Sequence, residues 1–441
     1  MRRRLSQAVA LLPVVALMSA PAIAQEAAVS TAAAPDTVFV FNTLLFLIMG
    51  MVVMFMAAGF CMLEAGSVRS KNVSAICLKN ITLYSIAGLM VWLCGYNIIY
   101  GVEEGGWIGT LSMWSADDSA ALDTGYSAGS DWFFQMVFVA TAASIVSGTL
   151  AERIRVWPFF IFVALLTAFI YPIQASWEWG GGWLDANHGF SDFAGSTLVH
   201  ATGGWAALAG AIMLGSRAGR YTEDGKPVAM FGSSMPLATL GVFILWLGWF
   251  GFNGGSQLAL GTLDDSIAVS NIFINTNMAA ASGVVTVVIL CTLLLGKIDL
   301  PMVLNGAIGG LVAITAEPLM PEIWMAVGIG ACGGALVFLT TPLLASLRID
   351  DVVGAIPAHL VCGIFGTMVV PLSNSDATFV GQGVGVIANG AFVFGVSLVA
   401  WALLRFTIGI RASEDDEEQG LDVAETGAPG YDLVPVTVPA E

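Results

Sequence analysis

The sequence predicts an all-α membrane protein with 11 transmembrane helices. Three observations carry that reading. Apolar residues make up 57% of the 441 positions and charged residues only 11%, whereas about a quarter of a soluble chain is charged. Helix-length apolar stretches recur from residue 43 to residue 404. The basic residues fall on alternate connections between those stretches.

Taken in order, residues 1–24 form a separate unit. Arg2, Arg3 and Arg4 open the chain, Ala8 to Met18 is a short apolar run, and Ala22-Ile-Ala24 offers small residues for cleavage. This pattern predicts a signal peptide removed before Gln25, which would leave the N-terminus outside. Residues 38–408 are expected to form the membrane domain, and residues 409–441 an acidic cytosolic tail.

The expected spans are 43–63, 80–100, 132–150, 156–176, 193–214, 230–252, 272–295, 302–315, 323–347, 352–371 and 383–404. Most are long enough to cross a bilayer with some tilt. The eighth is short and interrupted by glycine, as in Asn305-Gly-Ala-Ile-Gly-Gly310. It reads as a half-length helix supported by its neighbours.

Beyond the leader the chain carries 12 basic residues, and all 12 fall on the odd-numbered connections or the tail. They include Arg69, Lys71, Lys79, Arg153, Arg217 and Arg348. The even-numbered connections carry acidic residues such as Glu103, Glu178, Asp264 and Glu317. The positive-inside rule then gives an external N-terminus and an internal tail. The 32 acidic residues far outnumber the basic ones, which argues against nucleic acid as a partner.

Two segments stand out. His200 follows Asp192 by eight residues, and His359 follows Asp351 by eight. Eight helical residues rise about 12 Å, so each ring would sit near the middle of a bilayer core about 30 Å thick. Ionisable groups there usually line a path for an ion or proton. The fifth span runs inward and the tenth outward. The two segments therefore predict inverted repeats, spans 1–5 against spans 6–10, with an eleventh helix outside them. The competing reading is that each histidine merely packs a core. His188, in an outer loop, reads as solvated.

The six cysteines show no Cys-x-x-Cys spacing and read as small, buried, unpaired thiols. Two buried histidines without a carboxylate or cysteine at ligand spacing make a poor metal site, so neither a metal nor a cofactor is expected, nor an enzyme built on one.

Several motifs carry a family resemblance. They are Ala58-Gly-Phe-Cys-Met-Leu-Glu64-Ala-Gly-Ser-Val-Arg69-Ser-Lys-Asn72, Gly148-Thr-Leu-Ala-Glu152-Arg153, Asp192 to His200, Trp249-Phe-Gly-Phe252-Asn-Gly-Gly-Ser256, Asp350-Asp351 with His359, and Gly420-Leu-Asp422. In this order the chain resembles the ammonium transporter (Amt/Mep/Rh) family, Amt-type, from about residue 43 to residue 422.

The resemblance implies roles. Phe138 and Trp179 resemble the aromatic walls of an outer ammonium site, and Ser256 its hydroxyl acceptor. A small cation binds aromatic faces by about 0.5–2 kcal/mol each, and a hydroxyl lone pair accepts an N–H that an alkali ion lacks. Phe138 and Phe252 resemble stacked gate rings, a hydrophobic constriction. Asp192 resembles the aspartate supporting the outer site, expected to cap its helix rather than touch substrate. Its plain alternative is a helix cap alone. His200 and His359 resemble twin histidines of a narrow pore. A buried imidazole favours its neutral form, with one donor and one acceptor nitrogen.

The implied function is transport of ammonium/ammonia across the inner membrane. NH4+ would be recruited, deprotonated near the gate and passed as NH3, with the proton relayed by the histidines. A homotrimer and a PII-type regulatory protein at the tail are the implied partners. An ammonium sensor on the same scaffold and a neutral-gas channel of Rh type are the alternatives. Near His359 the chain departs from its resemblance: Gly354 stands where many relatives have aspartate, Pro357 is expected to kink the span, and Leu360 stands where glycine is usual.

Overall fold

A computed structural model describes residues 34–431. The expected signal peptide, residues 1–24, lies outside the described residues, as do residues 432–441 of the tail.

The described chain is helical, with no strand beyond two isolated bridges. Among the described residues, nine helices are long and apolar enough to cross a membrane: α1 Pro35–Ser67, α2 Ser70–Tyr100, α3 Ala128–Thr149, α4 Val156–Ser176, α5 Ser196–Leu214, α6 Met235–Gly255, α7 Leu263–Leu295, α9 Ile323–Ser346 and α11 Phe379–Thr407. Two shorter apolar helices, α8 Leu300–Ile314 and α10 Ile356–Leu372, lie among them. Each expected span overlaps one of these helices, the fifth, sixth and tenth starting a few residues ahead of theirs. The surface supports a membrane setting: Phe243, Leu247, Ile387, Val399 and Leu403 all face outward, where only lipid would cover them without penalty.

Local chemistry sets several starts. Ser234 Oγ accepts from Leu237 N at 3.4 Å, with Pro236 in the first turn of α6. Thr262 and Asp265 form a reciprocal capping box on α7. Asp299 caps α8 through Met302 N at 3.0 Å, and Thr378 caps α11 through Gly381 N at 3.0 Å. Each satisfies a donor that the helix cannot.

One boundary corrects the sequence reading. Lys79 is not a loop residue, because α2 begins about ten residues earlier than expected. Lys79 is buried, donates from Nζ to Ser147 O at 3.0 Å and lies 4.9 Å from the centre of the Phe159 ring. Lys71, Asn72 and Lys79 interrupt the apolar run there, so the first turns of α2 do not read as part of a span.

The cysteine reading is also corrected in part. Cys94, Cys291 and Cys362 are buried, but Cys332 is exposed, and Cys61 and Cys77 are half-buried with sulfurs 3.8 Å apart.

The basic connections meet in one ion network. Glu152 Oε2 accepts from Arg69 Nε at 2.6 Å and lies 3.4 Å from Arg217. Asp350 takes Arg217 in a two-pronged contact at 2.8 and 2.9 Å, and Arg220 at 3.2 Å. Buried Arg153 donates to the carbonyls of Thr149, Ala151, Gly215 and Asp350. Burial pushes the Asp350 carboxyl up, but the Arg217 hydrogen bond and the Arg153 and Arg217 charges outweigh it and hold it well below the usual carboxylate range.

The tail packs onto the same face. Helix α12, Glu414–Gln419, starts at a Ser413–Asp416 capping box. Glu417 pairs with Arg411 at 2.7 Å and accepts from Ala218 N at 3.0 Å. Asn72 Oδ1 accepts from Leu421 N at 2.9 Å, and Asp422 Oδ1 from Ala75 N at 2.9 Å. The tail is thus docked at least to residue 422, not merely a charged extension.

Candidate functional site

Both histidines sit on helices that begin in the same unusual way. Residues Ser196–Ala201 and Ile356–Val361 are π-helical turns, and each ends one or two residues beyond its histidine. Such turns recur at functional sites. Each is preceded by an aspartate that accepts its backbone donors. Asp192 accepts from Gly195, Ser196, Thr197 and Leu198 at 2.8–3.0 Å. Asp351 accepts from Gly354 at 3.2 Å, from Ile356 at 2.7 Å and from the Thr149 hydroxyl at 3.0 Å.

Three residues after each aspartate the chain turns through positive φ, at Gly195 (φ 104°) and Gly354 (φ 77°). Only glycine takes that conformation freely, which gives Gly354 a structural reason. Pro357 does not kink a span. It lies in the first turn of its helix, where a missing N–H costs nothing, so that expectation is corrected.

The two helices cross closely. A Cβ on Gly204 would lie 2.6 Å from the Leu360 Cβ, and one on Gly363 would lie 2.3 Å from Ser196 O. Each glycine stands four residues after a histidine. Leu360 therefore has its own counterpart in Gly204. The crossing brings His200 Nδ1 to 3.2 Å from His359 Nδ1, with both rings buried. One nitrogen must donate and the other accept, so the two rings hold complementary tautomers.

A column of aromatic rings continues from this pair. The His200 ring stacks on Trp249 (centroids 4.9 Å apart) and on Phe252 (5.2 Å). Phe252 stacks on Phe138 at 4.0 Å, and Phe138 meets Trp179 edge-on at 6.1 Å. Trp179 Nε1 donates to Asp192 O at 2.9 Å, tying the far end of the column to the cap of α5. Ser256 Oγ donates to Phe252 O at 2.8 Å, which leaves its oxygen free to accept. The fold thus assembles six residues singled out in the sequence, Phe138, Trp179, Asp192, His200, Phe252 and His359, with Ser256 one helical turn beyond Phe252. His188, by contrast, ends a short helix at the surface.

Trp249 was only part of a motif in the sequence, yet it is fully buried and held by an Nε1 bond to Thr315 Oγ1 at 2.8 Å. Its spacing of three from Phe252 puts both on one helix face, a signal that could have marked it. Glu152 and Arg153 likewise had no assigned role.

A lipid-facing helical bundle enclosing a buried column of aromatic and histidine rings defines a polytopic membrane transport protein. The chain belongs to the Ammonium Transporter Family, whose family model matches residues 44–431. It is 40% identical over 414 residues to ammonium transporter Amt2 of Archaeoglobus fulgidus, covering 87% of each chain. It is 35% identical over 414 residues to ammonium transporter Amt1 of Haloferax mediterranei, covering 88% of this chain and 79% of the relative. Among solved structures it is similar to a sensor Amt protein, with TM-score 0.82 and 36% identity, covering 87% of this chain and 98% of the other.

Proposed function

We propose that the protein carries ammonium across a cell membrane through a pore centred on His200 and His359. The observation that carries this reading is the paired imidazoles, 3.2 Å apart, directly behind the Phe138–Phe252 stack. Phe138, Trp179 and the Ser256 oxygen form the outer ammonium site. Two aromatic faces and one acceptor suit a cation that donates hydrogen bonds. Phe138 and Phe252 are the gate. Asp192 acts through its helix: its oxygens are engaged by four backbone N–H groups, so it supports the site rather than binding ammonium directly.

Bare NH4+ would lose its hydration in a column this apolar. One N–H bond of NH4+ breaks near the gate, its proton passes to the histidine relay, and NH3 continues alone. The shared Nδ1 hydrogen bond leaves one nitrogen on each ring for that exchange.

The same reading places the chain in the inner membrane with eleven crossings, its N-terminus outside after removal of residues 1–24, and residues 38–408 as the membrane domain. The tail lies in the cytoplasm, where a PII-type protein would meet it. The working unit is a homotrimer with one pore per subunit.

The test is ammonium-evoked current and methylammonium uptake in proteoliposomes of the full chain. Both are expected for the parent, and His200→Ala and His359→Ala should each abolish the current. Binding without flux in the parent would point instead to a sensor on this scaffold.

A further inference from the structure

A proton that reaches His359 needs a further acceptor before it leaves the pore. A cavity of about 10 Å³ begins at that ring, lined in part by Phe60, Ser144, Asn305 and Glu64. That is room for about one water. Glu64 is the single carboxylate on its wall, near the end of α1, and it is 1% exposed. Oε2 accepts from Ser147 Oγ at 2.7 Å and from Asn80 Nδ2 at 3.2 Å. Oε1 is buried and has no partner.

An unpartnered carboxylate oxygen in such a place is unfavourable, and taking up a proton relieves it. The Lys79 charge, on α2, acts on Glu64, but its ammonium donates to Ser147 O at 3.0 Å and makes no ion pair with the carboxylate. Cys61 and Cys77 are the other titratable groups facing it, and their sulfurs engage each other. Helix α3 contributes Ser144 to the wall and the Ser147 hydroxyl to Oε2, and α8 contributes Asn305, none of them charged. Glu64 is therefore held by hydrogen bonds on one oxygen and left open on the other.

We propose that Glu64 is the proton acceptor that follows His359 on the side of the basic connections. The N–H bond of protonated His359 breaks, an O–H bond forms on Glu64 Oε1 through an intervening water, and the imidazole returns to neutral. Glu64 then yields the proton to NH3 or water leaving the pore, which restores the carboxylate. This step rests on the transport reading above and extends it to the exit of the pore.

The experiment measures ammonium-evoked current of the full chain in proteoliposomes. Glu64→Gln keeps the size and a hydrogen-bonding oxygen but cannot be protonated. Its maximal current should fall by about a hundredfold, the low end of what a positioned acid or base contributes, with the half-saturating ammonium concentration within about twofold of the parent. Glu64→Asp should recover part of the current. Ser147→Ala removes the hydroxyl on Oε2 and should shift the dependence of current on internal pH. Parental current and pH profile in Glu64→Gln would overturn the proposal. If that variant does not reconstitute, an unshifted profile in Ser147→Ala overturns it. A conducting parent with an indifferent Glu64 sinks this step alone, whereas a silent parent sinks the transport reading as well.

Discussion

Gly204 lies so close to Leu360 that a Cβ on the glycine would come within 2.6 Å of the leucine Cβ. This contact, one turn beyond His200, fixes the separation of α5 and α10. Gly204→Ala must part the helices, at about 1–3 kcal/mol for an overpacked core. The thermal midpoint in detergent should drop, and transport should drop further, because the 3.2 Å histidine contact widens with the helices. An alanine variant with parental flux would mean that the pairing tolerates the displacement.

Trp179 tests the outer site. Its ring meets Phe138 edge-on, and its Nε1 bond to Asp192 O fixes its orientation. Trp179→Leu removes one cation–π face, about 0.5–2 kcal/mol, which is roughly 2- to 30-fold in apparent affinity. The half-saturating ammonium concentration should rise by such a factor in uptake assays. Unchanged affinity would count against a cation site there.

The two aspartate caps differ in load. Asp192 holds four backbone donors, whereas Asp351 holds two and a hydroxyl. An asparagine has one acceptor oxygen and presents N–H groups where two donors point. Asp192→Asn should therefore cost more stability than Asp351→Asn, on the order of 1–3 kcal/mol per pair of donors left unmet. Paired melting curves of the two variants compare them directly, and the reverse order would be inconsistent with the caps as drawn.

Asp350 gives a pH dependence. Its folded-state carboxyl sits well below the ordinary value because Arg217 and Arg153 outweigh burial. A depressed acid contributes stability that is fully present above its unfolded value, about 3.9, and is lost as pH falls through the folded value. The junction of Asp350 with Arg217 and Arg220 should resist proteolysis unchanged from pH 7 to about pH 5. It should loosen only below the ordinary aspartate range. Asp350→Asn should be cut faster at every pH, and equal cleavage at pH 7 would remove the ion network from the account.

Much of this architecture was legible in the sequence, because the bilayer demands long apolar runs and leaves charge at their ends. The spacing from Asp192 to His200 and from Asp351 to His359 survives intact in the caps and the paired rings. What was not legible depends on geometry that composition does not encode. The π-turns at both histidines share their residue types with ordinary helix. Lys79 was placed outside its helix because a buried ammonium with a carbonyl and an aromatic ring around it looks, in one dimension, like a loop charge. Trp249 was one apolar residue among many until its ring lay on His200. Gly204 and Gly363 matter through partners 156 and 167 residues away, Leu360 and Ser196.

Asp422 accepts the backbone N–H of Ala75 at 2.9 Å and that of Gly430 at 2.9 Å. Ala75 lies in the first turn of the α-helical part of α2, which opens at Val73 after the tighter turn Ser70–Asn72, where backbone N–H groups lack an α-helical partner. A carboxylate nearly 350 positions downstream thus serves as the missing cap of the second helix. Truncation ahead of residue 422 would leave that helix frayed at its root, so this stretch of the tail is a structural component of the bundle.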